Sequence, residues 1–230
     1  PVTVYHRPKE KSQAVIDSAA ICANPTKEVA SQSDVVLTIV GYPTDVEEVY
    51  FGEQGIFQGL QEGMVLIDLT TSTPSLAKKI AEEAEKFSCE ALDAPVSGGD
   101  LGAKSGTLST MVGGKEAVFE AVRPILETFS KTITLQGTNG AGQHTKMANQ
   151  IMIAGTMTGL VEMLVYAKAA ELDLEKVLQT VGAGSAANWS LSNYGPRILK
   201  KDYSPGFFAK HFLKDLRIGV EEAERMGLFL

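Results

Sequence analysis

A lysine followed by two side-chain amides is the feature of this chain with the clearest chemical potential. Lys146, Asn149 and Gln150 are three and four residues apart, so on a helix they share one face. The apolar segment 151–155 follows at once, which predicts that the three polar groups border a pocket. A lysine at a buried edge can donate and accept protons. The alternative is a lysine whose charged end extends to solvent from the start of a helix.

A second polar group follows a predicted strand at residues 90–94. Pro95 and Val96 follow this strand, and Ser97, Gly98 and Gly99 come directly after them. Ligands of doubly wound α/β sheets bind at the carboxyl ends of the strands. The backbone N–H groups of consecutive glycines, together with the Ser97 hydroxyl, suit a small carboxylate. The alternative is a tight turn that needs glycine for its backbone angles.

Two other strand ends carry groups that suit a dinucleotide. Thr71 follows the strand predicted at 64–69 and can bond a ribose or an amide of a cofactor, although the neighbouring hydroxyls suit helix capping. Gly41 and Pro43 follow the strand predicted at 34–40, where glycine permits the close approach of a cofactor. An ordinary turn into a helix that opens with proline is the alternative there.

Two cations outside these segments are further candidates for cofactor contact. Arg7 follows the first predicted strand, where an arginine suits the 2′-phosphate of NADP and an acidic residue suits the ribose of NAD. A surface arginine without a ligand is the alternative. Lys214 lies beside Asp215 on the last predicted helix and can approach the cofactor or the substrate. The alternative for this dipeptide is a solvated charge pair.

The elements that must position these residues change in kind along the chain. Short strands alternate with helices through residues 1–139, which predicts a doubly wound, Rossmann-type parallel sheet. Strand signals stop at residue 140, and a long helix to about residue 171 opens an all-helical domain, 140–230. No glycine-rich turn follows a first strand, so we expect the first strand of the nucleotide-binding sheet to lie upstream of Pro1.

Composition excludes several classes of function. A net charge of −7 over 230 residues argues against a large nucleic-acid surface, so an anionic substrate needs a locally positive site. We expect no apolar run long enough to span a bilayer. Cys22 and Cys89 have no metal-type spacing and fit reduced thiols of a cytoplasmic protein. With 3 histidines, no histidine-rich metal site is expected.

In their order and spacing these motifs resemble the β-hydroxyacid dehydrogenase family. The family includes 3-hydroxyisobutyrate dehydrogenase, tartronate semialdehyde reductase and the glyoxylate/succinic semialdehyde reductases. The resemblance covers essentially the whole chain, and its most specific segments are 93–99, 142–150 and 212–215. It implies that Lys146 is the general acid/base. The other implied roles are substrate binding by Ser97, Gly98, Gly99, Asn149 and Gln150, and cofactor contact by Thr71 and Lys214.

The resemblance also implies an activity and an assembly. The expected reaction interconverts a small anionic β-hydroxyacid and its semialdehyde by hydride transfer, with NADP as the preferred cofactor or NAD in its place. Candidate substrates resemble 3-hydroxyisobutyrate or tartronate and glycerate. A homodimer or homotetramer is expected. The alternative function is a non-catalytic cofactor-binding module or scaffold on the same fold.

Overall fold

A computed structural model describes residues 2–6 and 13–230, so Arg7 lies outside the described residues. The chain forms two compact units, Pro1–Lys146 and Met147–Leu230. The sequence places the domain boundary between residues 139 and 140, next to the start of a long helix at Ala141. The boundary between the two compact units, after Lys146, falls within this helix, because the first turns of the helix pack on the sheet of the first unit.

The first unit alternates strands and helices, as expected for an α/β fold. Its strands are β1 (Thr3–Val4), β2 (Ile21–Cys22), β3 (Val35–Thr38), β4 (Val65–Asp68), β5 (Glu90–Asp93), β6 (Val96–Ser97), β7 (Leu108–Gly113) and β8 (Ser130–Gly137). Its helices are α1 (Gln13–Asp17), α2 (Thr26–Ser31), α3 (Pro43–Phe51), a 3₁₀ turn (Ile56–Gly59), α4 (Pro74–Glu85), α5 (Gly99–Lys104) and α6 (Glu116–Leu126). The sequence predicts strands at 2–5, 34–40, 64–69, 90–94 and 108–112, so β2, β6 and β8 are not among the predicted strands.

The main sheet has the strand order β3-β4-β5-β7-β6, with β8 paired to β7. Strands β3, β4 and β5 are parallel, as predicted, and so are β7 and β8. Strand β7 is antiparallel to both β5 and β6, which the prediction of a parallel sheet did not include. The reason is the short connection through α5, because it returns the chain along the same edge and does not cross a face of the sheet. Strands β1 and β2 form a separate parallel pair.

Both faces of the main sheet are buried, which is the defining property of a doubly wound fold. Neighbouring residues of β4 show this directly. Leu66 packs on one side with Val36 of β3 and Ile80 of α4, and Ile67 packs on the other side with Phe119 of α6. A continuous apolar run is therefore needed in β4, and the sequence supplies it.

The second unit is helical within the described residues. After α7 (Ala141–Ala169) come α8 (Leu174–Gly182), α9 (Trp189–Leu199) and α10 (Ala209–Arg225), close to the helices that the sequence predicts at 174–181, 188–199 and 208–226. Leu160 and Leu164 of α7 pack with Leu178 of α8 and Leu191 of α9 in the core of this unit. The predicted α/β sheet followed by an all-helical domain is confirmed.

Helix α7 corrects one expectation from composition. It is long and apolar enough to cross a bilayer by length and composition, with a mean hydropathy of 1.3 over its most apolar window, of which 22% is buried. The sequence-based expectation of no such run is wrong, because between Ile151 and Ala169 only Glu162 and Lys168 are charged. A core helix of a globular protein has the same length and composition, so these two properties do not assign α7 to a membrane.

Candidate active site

Lys146 is buried and points at the sheet. Its side chain belongs to α7, and the residue is 6% exposed. Its Nζ donates a hydrogen bond to the backbone carbonyl oxygen of Val96 in β6, at 2.7 Å. The alternative of a lysine that extends into solvent is therefore wrong. Val96 immediately precedes Ser97, where the predicted carboxylate-binding segment begins, so Nζ of Lys146 lies next to this segment.

The segment after β6 has the backbone that a glycine pair permits. Ser97 ends the strand, and Gly98 and Gly99 have φ angles of 129° and 63°. A side chain at either position would be strained, and a Cβ on Gly98 would lie 3.0 Å from the Leu108 side chain. The turn that needs glycine is thus present. It also leaves both glycines exposed, with their N–H groups at the start of α5.

Gln143 joins the first turn of α7 to the turn that follows β4. This side chain is fully buried. Its Nε2 donates to the carbonyl oxygen of Thr70 at 2.7 Å, and its Oε1 accepts from the N–H of Ser72 at 2.9 Å. Thr71, the predicted cofactor contact, lies between these two anchored residues and is half-buried.

Asp93, at the end of β5, holds the start of the same helix. Its carboxylate accepts hydrogen bonds from the backbone N–H groups of Gly140, at 2.7 Å, and Gln143, at 2.9 Å. These N–H groups have no partner within the helix, so the carboxylate satisfies them and its charge suits the positive end of the helix. Burial raises the pKa of Asp93 above its ordinary value, and the hydrogen bonds from Gly140 and Gln143 oppose that rise.

Asp68 lies beside Asp93 in the register of β4 and β5. Its carboxylate accepts from the Thr38 hydroxyl at 2.9 Å and from the N–H of Thr70 at 3.1 Å. Burial raises its pKa to about 6, and the bonds from Thr70 and Thr38 oppose the rise. The Thr70 hydroxyl in turn accepts from the N–H of Val40 at 2.9 Å, which ties the ends of β3 and β4 together.

Gly41 and Pro43 lie at this same edge of the sheet. They follow β3, Pro43 is the first residue of α3, and both are half-buried. The ordinary turn into a proline-opened helix is therefore observed. It places Gly41 directly after Val40, which is bonded to the turn that contains Thr71.

The second unit assembles the other predicted site residues around Asp215. The Asn149 amide donates to Gln150 Oε1 at 2.7 Å, and Gln150 Nε2 donates to Asp215 Oδ2 at 2.6 Å. Lys214 Nζ lies 2.8 Å from Asp215 Oδ1, and the Asp215 side chain is fully buried. The alternative of a solvated charge pair is wrong, because the carboxylate is the centre of a buried polar cluster.

The structure thus forms two groups of candidate residues. In the first unit, Lys146 lies next to the Ser97–Gly99 segment, and Gln143 connects its helix to the turn that contains Thr71. In the second unit, Asn149, Gln150 and Lys214 share the Asp215 cluster.

Sequence reasoning assigned no role to three residues on which this arrangement depends: Gln143, Asp93 and Asp215. One signal was available for Gln143, because a polar side chain one helical turn before Lys146 must share its face. Asp93 ends a buried strand, and a carboxylate in that place requires a partner. Nothing in the sequence indicates that Asp215 is buried.

Two family descriptions together match almost the whole chain. Residues 1–137 match the NAD binding domain of 6-phosphogluconate dehydrogenase. Residues 140–230 match the family described as NAD-binding of NADP-dependent 3-hydroxyisobutyrate dehydrogenase.

Named relatives agree with these matches. The chain is 50% identical over 230 residues to a probable 3-hydroxyisobutyrate dehydrogenase-like 1, mitochondrial, of Arabidopsis thaliana, covering 100% of this chain and 69% of the relative. It is 38% identical over 216 residues to the 2-hydroxy-3-oxopropionate reductase of Escherichia coli, covering 94% of this chain and 74% of that enzyme.

A solved structure has the same fold. The 3-hydroxyisobutyrate dehydrogenase of Mycobacterium tuberculosis, with L-serine, superimposes with a TM-score of 0.86 at 25% identity, over 97% of this chain and 78% of that one. The fold, the two family matches and the named relatives all indicate the same family. The chain belongs to the β-hydroxyacid dehydrogenase family.

Proposed function

We propose that this protein is an NAD(P)-dependent oxidoreductase that interconverts a small β-hydroxyacid and its semialdehyde, with Lys146 as general acid/base. The observation that carries the proposal is the buried side chain of Lys146. Its Nζ lies 2.7 Å from the carbonyl oxygen of Val96, the residue that precedes Ser97. A proton donor beside a segment with two exposed glycines matches a substrate with a carboxylate at one end and a reacting carbonyl nearby.

The reaction divides between the cofactor and the side chains. A bound reduced nicotinamide would supply hydride for the carbonyl carbon of the semialdehyde. Lys146 donates a proton from Nζ to the carbonyl oxygen, so the product is the hydroxyacid. In oxidation the neutral lysine accepts the hydroxyl proton. Ser97, Gly98 and Gly99 hold the carboxylate, and Asn149 and Gln150 orient the reacting group.

The carboxyl ends of β3 and β4 fit a dinucleotide. Among the described residues, the Ser72 hydroxyl oxygen is a buried polar atom with no hydrogen-bond partner, and it lies next to Thr71. A buried hydroxyl without a protein partner is one that an ordered water or a polar ligand can satisfy. Gly41, Pro43, Thr71 and Lys214 would hold the cofactor, with Arg7 at the 2′-phosphate. We propose NADP as the preferred cofactor and NAD as the alternative.

The substrate proposal follows the names of the relatives. One is a 3-hydroxyisobutyrate dehydrogenase-like protein and another a 2-hydroxy-3-oxopropionate reductase, so both an alkyl-substituted and a hydroxylated three-carbon acid are candidates. We also propose a homodimer or homotetramer in the cytoplasm, with no membrane or nucleic-acid partner.

The test uses the full-length protein that contains this chain. Oxidation of NADPH and of NADH is followed against methylmalonate, tartronate and succinic semialdehydes and glyoxylate. Turnover of one of these with a preference for NADPH supports the enzyme and the role of Arg7. A preference for NADH supports the enzyme and removes that role. Tight cofactor binding without turnover on any of them supports the binding module instead.

A further inference from the structure

Gln143 is a buried side chain whose two polar ends hold backbone groups 71 and 73 residues away in sequence. It is 0% exposed and lies one helical turn before Lys146. A glutamine satisfies both groups because its amide offers a donor and an acceptor at once.

The two backbone groups belong to the turn after β4. One is the carbonyl of Thr70 and the other is the N–H of Ser72, so the turn is anchored on both sides of Thr71. The backbone N–H of Gln143 is itself bonded to Asp93 at the end of β5. One residue therefore links the helix of Lys146 to two neighbouring strand ends.

We propose that Gln143 is a positioning residue that sets the place of Lys146 relative to the turn containing Thr71. The inference rests on the proposed function, because it matters for catalysis only if Lys146 transfers the proton while Thr71 contacts the cofactor. Hydride and proton transfer require the cofactor and Lys146 to be correctly positioned relative to the substrate. A displacement of about 1 Å can lower the rate about a hundredfold.

The experiment compares Gln143→Met with Ser130→Ala in the full-length protein. Methionine keeps the length of the side chain and removes both hydrogen bonds. Ser130→Ala is the matched control, because Ser130 makes a buried hydrogen bond of 2.6 Å to Thr110 in the same sheet and has no proposed role in the site. Thermal unfolding of each variant establishes that it is folded.

Two readouts follow. Steady-state kinetics should give a kcat about 10- to 100-fold lower for Gln143→Met, with the KM of the substrate within about threefold of wild type. Competitive acetylation with acetic anhydride, read by peptide mass spectrometry, should show Lys146 about tenfold more reactive, because the helical turn that buries it is loosened. Ser130→Ala should leave both quantities unchanged.

The two readouts separate this inference from the proposed function. If the wild type turns over no substrate, the proposed function fails, but the acetylation of Lys146 still reports on the position of its helical turn. Unchanged acetylation of Lys146 in Gln143→Met would overturn the inference, and so would a kcat equal to that of Ser130→Ala. If Gln143→Met does not unfold cooperatively, Gln143→Glu takes its place, because it keeps the acceptor for Ser72 and loses the donor to Thr70.

Discussion

Lys146 donates a hydrogen bond from Nζ to the backbone carbonyl oxygen of Val96 in β6, at 2.7 Å. The same contact places the amine at the start of the Ser97–Gly99 segment. The proposed acid/base and the proposed carboxylate site are therefore fixed to each other by the backbone of β6.

Replacement of Lys146 by alanine tests the central role. We expect kcat to fall by about two to four powers of ten, the usual range for general acid/base catalysis, while the far-UV circular dichroism spectrum is unchanged. Lys168→Ala is the control, because Lys168 is an exposed lysine of the same helix. Turnover of Lys146→Ala close to that of Lys168→Ala would remove Lys146 from the mechanism.

The raised pKa of Asp68 makes stability depend on pH. Its carboxyl has an ordinary pKa of 3.8 in the unfolded chain and about 6 in the folded protein, so folding favours the protonated form. Its contribution to the free energy of unfolding is most favourable below pH 4 and is lost as the pH rises through 6. The difference amounts to about 3 kcal/mol.

Asp68→Asn should remove this loss, because the amide keeps an acceptor for Thr38 and Thr70 and does not titrate. Urea unfolding at a series of pH values from 2 to 7 measures the free energy of unfolding across both transitions. Asp202→Asn gives the sign control, since hydrogen bonds from Arg197 and Ser204 lower the pKa of Asp202. The contribution of Asp202 to the free energy of unfolding is therefore lost as the pH falls. An unchanged pH profile in Asp68→Asn would contradict the prediction.

Asp215 is expected to be the most sensitive position of the helical unit. Asp215→Asn removes a fully buried negative charge that lies 2.8 Å from Lys214 Nζ. Loss of one member of a buried ion pair costs about 3 kcal/mol, so the free energy of unfolding by urea should fall by that amount.

The matched control for Asp215→Asn is Lys176→Met. Lys176 pairs with Asp173 at 3.5 Å, but its side chain is 81% exposed. An exposed pair of this kind contributes at most about 1 kcal/mol. Equal losses of stability in the two variants would show that the Asp215 cluster is not buried in the folded protein.

Gly142 tests how tightly the first turn of α7 packs, and Gly159 of the same helix is its control. A Cβ on Gly142 would meet the backbone carbonyl oxygen of Met111 and lie 2.7 Å from that of Asp93, whereas a Cβ on Gly159 meets nothing within 4 Å. Gly142→Ala should cost about 2 kcal/mol and lower kcat, because the helix must move off the sheet. Gly159→Ala should gain up to about 1 kcal/mol from helix propensity. Thermal unfolding compares them, and a Gly142→Ala protein as stable as wild type would contradict the packing.

Much of the fold follows from local sequence patterns. The buried run in β4 and the change from strands to helices after residue 139 are properties of neighbouring residues, so they are legible without a structure. The same holds for the glycine pair Gly98-Gly99, whose positive φ angles only glycine adopts readily. These patterns also locate Lys146, because its spacing to two amides is a helical one.

The direction of β7 and the polar contacts of the site come from the tertiary structure alone. Whether β7 runs parallel or antiparallel to β5 depends on the path of α5, and the strand pattern is the same in both cases. Asp215 is a charged residue next to a lysine, and only the packing of α10 against α7 makes it buried. By itself the sequence determined the classes of element and the residues able to do chemistry. The tertiary structure decided which of them meet, because contacts such as that of Gln143 with Ser72 join parts of the chain that share no local pattern.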